Sequence, residues 1–377
     1  MATPGLRRLR LAFPTARIVA QLPAALVPLL EGNPSCDEVW PLASRKSGRA
    51  GWLADRARMR AADFDLGVAI PESVSSALLM RLGGVRRVFG FSRDPVRAVL
   101  LHENAPAPAE WGRRRLVSRE RFVLRLMQYV IESSGESAVS APARLDAEAL
   151  RLELRVTEAE EERLAAALEG NAARDGASAQ GAALGTEAVR KKRVILAPGA
   201  SFGPAKCWPA ESYAALGDRL AERGHTVIVV GGPGESKRVQ AVVRGMASHP
   251  LVLDECLDLG AFKALLQKAD LLVANDAGAR HVAAAFSVRS VIFFGPTSVA
   301  KTADHLDAIE VLETEQECRP CYQRICPIDH RCLTEIDVNR AEAAAIRSIE
   351  LAMADAAQTV SLPCGDSPSA DSAEVVQ

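Results

Sequence analysis

Between residues 194 and 298 the chain repeats one pattern four times: a run of four apolar residues, a loop containing glycine, then a segment that opens as a helix. The apolar runs lie at 194–197, 227–230, 271–274 and 291–294, and the loops that follow contain APG, GGPG, NDAG and GPTS. Apolar runs of this length without alternation belong to strands buried on both faces, and such strands separated by helical segments form a parallel sheet. A chain built this way folds as a doubly wound α/β layer, whose ligands bind beyond the carboxyl ends of the strands. All four loops lie at those ends.

The first unit, VILAPGASFGPAKCWP at 194–209, is the most specific. Pro209 and Glu211 stand where a helix begins. Unpaired N–H groups and the positive end of the helix dipole favour an anion there by about 0.3–1 kcal/mol. Lys206 adds a cation and Ser201 a hydroxyl, although the Walker A pattern of an ATPase is absent. An ordinary strand-to-helix loop with a surface lysine would read the same way in isolation. In the third unit Asp276 is placed to cap the following helix, and Ala277 and Gly278 bring backbone to the mouth of the site. His281 follows about one turn in. Glu235 ends the second loop and Thr297 lies in the fourth. Capping alone for Asp276, a solvated acid for Glu235 and a packing histidine for His281 are the alternative readings.

With 377 residues the chain is expected to form two domains. Hydrophobic residues at 48% and charged residues at 25% are ordinary for a globular enzyme. The first half alternates candidate strands at 17–20, 37–41, 64–70 and 87–91 with candidate helices at 23–31, 73–82, 119–132 and 157–168. Residues 169–192, rich in Gly, Ala and Ser, read as a flexible insertion; 339–356 read as a helix and 357–377 as a disordered tail. The formal net charge of −1 hides an asymmetry, since residues 1–130 carry 21 Lys and Arg against 11 Asp and Glu. A basic half suits an anionic partner, or is simply an arginine-rich solvated face. The stretch 18–30 is broken by Gln21, Pro23 and Pro28 and is shorter than the roughly 20 residues a membrane span requires. It reads better as strand then helix than as a signal peptide, so a cytoplasmic location is expected. Cys318, Cys321, Cys326 and Cys332, with His330 beside them, have a spacing that allows structural zinc, reduced packing thiols or disulfides, the last being uncommon in the cytoplasm.

The segments APGASFGPAKCWP, NDAGARHVAAA and FFGPTS, followed by CRPCYQRICPIDHRCLTEI, resemble in content and order the heptosyltransferases of glycosyltransferase family 9. These enzymes move heptose from ADP-heptose onto the lipopolysaccharide inner core. The FGPAK form and the cysteine-rich segment are most similar to the heptosyltransferase II branch, and the resemblance covers roughly residues 1–350, most strongly 194–335. It implies a GT-B fold, two Rossmann-like doubly wound domains facing a cleft. The acceptor-binding domain is expected at 1–168, the insertion at 169–192 and the ADP-heptose-binding domain at 193–338. Resemblance assigns leaving-group stabilisation to Lys206 and substrate binding to Ser201, Lys206, Glu235, Asp276, Ala277, Gly278, His281 and Thr297. It also implies inverting transfer without a cofactor or catalytic metal, and no nucleic-acid partner. The chain is expected to act as a monomer on heptosyl-Kdo2-lipid A at the inner face of the cytoplasmic membrane.

Family members carry a first strand ending in a Gly-Asp loop, and that aspartate is the expected base. The sequence opens at Met1 inside the segment that follows, so the first strand and the base are expected to be missing from the chain as written. Arg7, Arg8 and Arg10 are then the nearest charged residues, facing either acceptor or solvent. Three readings stay open: an active transferase with further residues upstream, a nucleotide-sugar-binding protein of impaired activity, and a GT-B transferase using another nucleotide sugar.

Overall fold

The computed structural model describes residues 1–43, 47–112, 117–135, 147–175, 191–254, 257–302 and 304–360. In the first half, β1 (Val19–Pro23) pairs in parallel with β2 (Glu38–Leu42), and β3 (Leu66–Val68), β4 (Arg87–Gly90) and β5 (Glu103–Asn104) form a second parallel sheet. Among the described residues no strand bonds to both β1 and β3, so the doubly wound layer expected here is two pieces that share one core. Ile18, Leu66, Val68 and Phe89 meet in that core beneath the helices Thr3–Ala12 and Arg119–Ser133. Those helices approach closely because Gly5 has no Cβ, which would lie 2.6 Å from Val123 Cγ1.

Several expectations for this half change. The helix expected at 23–31 is a 3-10 run, Ala24–Leu29, containing Pro28, which cannot donate an α-helical hydrogen bond. The helix Gly48–Ala62 was not anticipated. Arg7 donates to the carbonyls of Glu148 and Arg151, Arg8 to Gln128, and Arg10 to Asp37, so these arginines tie this half together.

The second half is one six-stranded parallel sheet: β6 (Arg193–Ala197), β7 (Thr226–Gly231), β8 (Leu251–Asp254), β9 (Leu271–Asn275), β10 (Arg289–Phe293) and β11 (Ile309–Leu312). The spatial order is β11-β10-β9-β6-β7-β8. Both faces are apolar, as the continuous runs require. Val194, Leu196, Val229 and Phe293 pack under the helices Ala210–Glu222, Ser236–Gly245 and Val338–Val360, whereas Ile195, Ile228, Leu272 and Ile292 pack under Leu259–Gln267 and Gly278–Ala285.

The helix expected at 157–168 extends over Glu158–Asp175, and its Leu164 and Leu168 pack into this second core. Residues 176–190 of the expected insertion and 361–377 of the expected tail lie outside the described residues. No described helix is long and apolar enough to cross a membrane.

The halves are joined by polar contacts. Arg121 pairs with Asp304 at 2.9 Å, and Ser118 also donates to Asp304. Lys263, fully buried, reaches the carbonyl of Pro28 at 2.7 Å.

Candidate active site

Strand order reverses between β6 and β9, so the loops that leave these neighbouring strands turn to opposite faces and open a crevice between them. Lys206 comes from the first loop and Asp276 from the second. Lys206 Nζ donates to Asp276 Oδ2 and to the Asp276 carbonyl, each at 2.7 Å. Thr297, from the loop after β10, donates to the same carboxylate oxygen at 2.7 Å. Arg280, 1% exposed and one helical turn beyond Asp276, donates to Oδ1 at 3.1 Å. Burial pushes the Asp276 carboxyl upward, but Lys206, Arg280 and Thr297 outweigh it and hold the group below the usual carboxylate range.

Asp276 does not cap the helix Gly278–Ala285. Its carboxylate is occupied by the two cations and the hydroxyl, and the N-cap residue is Ala277, which supplies no side-chain bond. The N–H groups of that first turn therefore have no side-chain cap. Gly278 is exposed, with nothing within 4 Å of where a Cβ would sit.

Asn275, fully buried, organises the floor. Its Oδ1 accepts from the Trp208 N–H and the Tyr213 hydroxyl, and its Nδ2 donates to the carbonyls of Pro198 and Gly199. This one side chain fixes both ends of the loop that carries Lys206. Glu235 Oε2 accepts from the Gly232 N–H, and the carboxylate folds over Gly199, where a Cβ would come within 2.0 Å of it. Ser201 is exposed at the tip of the same loop.

His281 is partly buried, and its Nδ1 lies 3.7 Å from Glu120 of the first half. Burial first and the Arg280 guanidinium second push its pKa down to about 2, so the ring is neutral near neutral pH. Lys206, Thr297 and the pair Asp276 and His281 thus come from the three segments that follow β6, β10 and β9 at one end of the sheet. Asn275, Arg280 and Glu120 escaped the sequence reading, although Asp276 and Arg280 stand at the i,i+4 spacing that signals a helix ion pair.

The cysteine-rich segment backs the site. Arg324 donates to the Phe202 carbonyl at 2.7 Å, the Ala205 N–H donates to the Arg324 carbonyl, and Arg319 donates to the Gly295 carbonyl at 2.6 Å. Anchored this way, Cys318 is exposed while Cys332 is buried in the core, and Cys321 and Cys326 are intermediate. All four are free thiols, and among the described residues no group of three or more His, Cys, Asp or Glu side chains is arranged to hold a metal ion. Burial pushes Cys332 up to about 11, keeping it protonated.

Residues 52–331 match glycosyltransferase family 9 (heptosyltransferase). Lipooligosaccharide heptosyltransferase 2 of Campylobacter jejuni is 28% identical over 152 residues, 39% of this chain and 47% of that protein, so the chain spans about half the length of this relative. Lipopolysaccharide heptosyltransferase 2 of Salmonella typhimurium is 25% identical over 303 residues, 78% of each protein. The solved structure of E. coli ADP-heptose LPS heptosyltransferase II is similar with a TM-score of 0.69 at 21% identity, over 93% of this chain and 95% of that one. The fold is the GT-B arrangement that the motifs implied.

Proposed function

The chain belongs to glycosyltransferase family 9, the heptosyltransferase family, and on that premise we propose that it transfers heptose from ADP-heptose to the first heptose of the lipopolysaccharide inner core. The observation that carries the donor assignment is the convergence at the switch point of Lys206, Asp276 and the helix start at Gly278 that no side chain caps. An ammonium has three donors. Asp276 takes two from Lys206 and leaves one for a diphosphate oxygen. The open N–H groups of the helix start favour the same charge. The three relatives above are all named as second heptosyltransferases, one of them as an ADP-heptose enzyme, which supports this donor and order of addition.

In this reading an acceptor hydroxyl oxygen bonds to the anomeric carbon of the heptose as the bond from that carbon to the diphosphate breaks. The electron pair leaves with ADP, the hydroxyl proton passes to a base, and attack opposite the leaving group inverts the centre. Lys206, the N–H groups at Ala277 and Gly278, and the Ser201 hydroxyl meet the developing charge. Asp276, braced by Arg280 and Thr297, holds Lys206 in place. Glu235 faces the ribose hydroxyls, and His281 the sugar. The acceptor is membrane-linked, which gives the enzyme a cytoplasmic, peripheral site of action as a monomer without a cofactor.

Turnover of ADP-heptose with an acceptor already bearing one heptose, set against a heptose-free acceptor, tests the proposal. Product is expected only from the first. Equal rates on both would remove the second-heptose assignment, and turnover of a different nucleotide sugar in preference would remove the donor.

A further inference from the structure

The first half of the chain places a carboxylate against this donor site. Glu120 is the second residue of the helix Arg119–Ser133, is 1% exposed, and its Oε1 has no hydrogen-bond partner. A buried carboxylate oxygen is costly to leave without a donor. One imidazole of the second half, His281, lies beside it, and His305 also feels its charge. One nitrogen of His305 donates to the Leu150 carbonyl, and the other, Nε2, is buried and unpartnered. A neutral imidazole has one N–H, and burial favours the neutral form of His305. His305 Nε2 and Glu120 Oε1 are both without a hydrogen-bond partner, so His305 does not donate to Glu120. His281 Nδ1, 3.7 Å from Glu120 Oε1, is the donor that remains. The charges of Arg119 and Arg280 also act on the pair.

We propose that Glu120 is a positioning residue of the donor site: its carboxylate holds His281 as the Nδ1–H tautomer, so that Nε2 presents a lone pair to the cleft and recognises a hydroxyl of the bound sugar. The proposal rests on the transferase reading above. A carboxylate only accepts, so a neutral ring with one proton turns that proton toward it. The present 3.7 Å is about half an ångström beyond a hydrogen bond. Contacts of this kind shorten as an active-site cleft takes up substrate. The geometry gives the first half a direct part in reading the donor, because the ring that faces the sugar is set from the other side of the cleft.

Nitrogen-15 NMR of the full-length, histidine-labelled protein reads the tautomer directly, with His281 assigned by its loss in His281→Gln. The Nδ1–H form is expected near neutral pH; the Nε2–H form in the wild type overturns the proposal. Glu120→Ala should shift His281 toward Nε2–H and lower kcat/KM for ADP-heptose about tenfold, while affinity for ADP stays within about twofold. An unchanged tautomer in Glu120→Ala also overturns it. Glu120→Gln keeps an acceptor oxygen and should retain the Nδ1–H form, which decides the matter if the alanine variant fails to fold. A wild type with the Nδ1–H form but no turnover of ADP-heptose would sink the transferase reading and leave the pair standing. An active wild type with Nε2–H sinks the pair alone.

Discussion

Asp276 is the residue on which the donor site closes, since it receives Lys206, Arg280 and Thr297 at once. On the proposed donor role, replacing Lys206 by Ala removes the cation that ties the first loop to Asp276, and kcat is expected to fall about hundredfold, the usual loss for a donor to developing negative charge. Steady-state kinetics check this, and unchanged kcat and KM would take Lys206 out of the site. His281 makes a prediction of a different kind. Its pKa is about 2 in the fold and near 6.5 in an unfolded chain, so only the unfolded chain takes up a proton as pH falls below about 6.5. The contribution is fully present above that value and is lost progressively toward pH 2. Urea unfolding at stepped pH should show a shallower loss of stability below about pH 6.5 in His281→Asn than in the wild type; parallel curves would contradict it. Lys206, Asp276 and His281 could be read from the sequence because each lies in the loop or helix start that follows an apolar run. Arg280 carried a local signal in its i,i+4 spacing from Asp276, whereas Asn275 and Glu120 did not, because what they face lies 76 and 161 residues away and depends on which loops the sheet order brings together.

At the scale of elements, two glycines of one loop should respond differently to a methyl group. A Cβ on Gly199 meets the flexible end of Glu235, which can swing aside, whereas a Cβ on Gly203 lies 2.5 Å from the Arg324 carbonyl at a φ of 148°. Gly199→Ala is expected to change stability by less than about 0.5 kcal/mol while weakening ADP binding, and adding Glu235→Ala should weaken it little further. Gly203→Ala should cost about 1–3 kcal/mol through strain and displacement of the cysteine-rich segment. Calorimetric titration with ADP and chemical unfolding separate the two, and equal losses of stability would refute the distinction. The strand-to-glycine pattern made the second sheet legible, because buried parallel strands leave unbroken apolar runs. In the first half the strands expected at 17–20, 37–41, 64–70 and 87–91 appear as β1 to β4, whereas β5, with two residues, falls below the length at which periodicity decides. Pro28 turned an expected helix into a 3-10 run.

For the whole molecule the question is what fixes one half against the other, and the buried pair of Lys263 and Glu160 is central to it. Both side chains are fully buried, 2.9 Å apart, and Lys263 also donates to the Pro28 carbonyl of the first half. Glu160 Oε2 accepts from the Thr157 N–H, and the side chain fits only because Gly260 has no Cβ, which would lie 2.7 Å from Oε1. Lys263 is thus a post between the second sheet's helices and the turn Ala24–Leu29. Removing one partner strands a buried charge, so Lys263→Ala should destabilise by about 3–5 kcal/mol. Replacing both, as Lys263→Met with Glu160→Leu, should restore most of that loss, because apolar packing substitutes for a buried ion pair at little net cost. The double variant still lacks the bond to Pro28. It should therefore unfold near the wild-type denaturant midpoint yet show faster hydrogen exchange at residues 24–30, where that bond anchors the first half. Exchange at those amides matching the wild type would show that Arg121, Ser118 and Asp304 hold the halves together without Lys263.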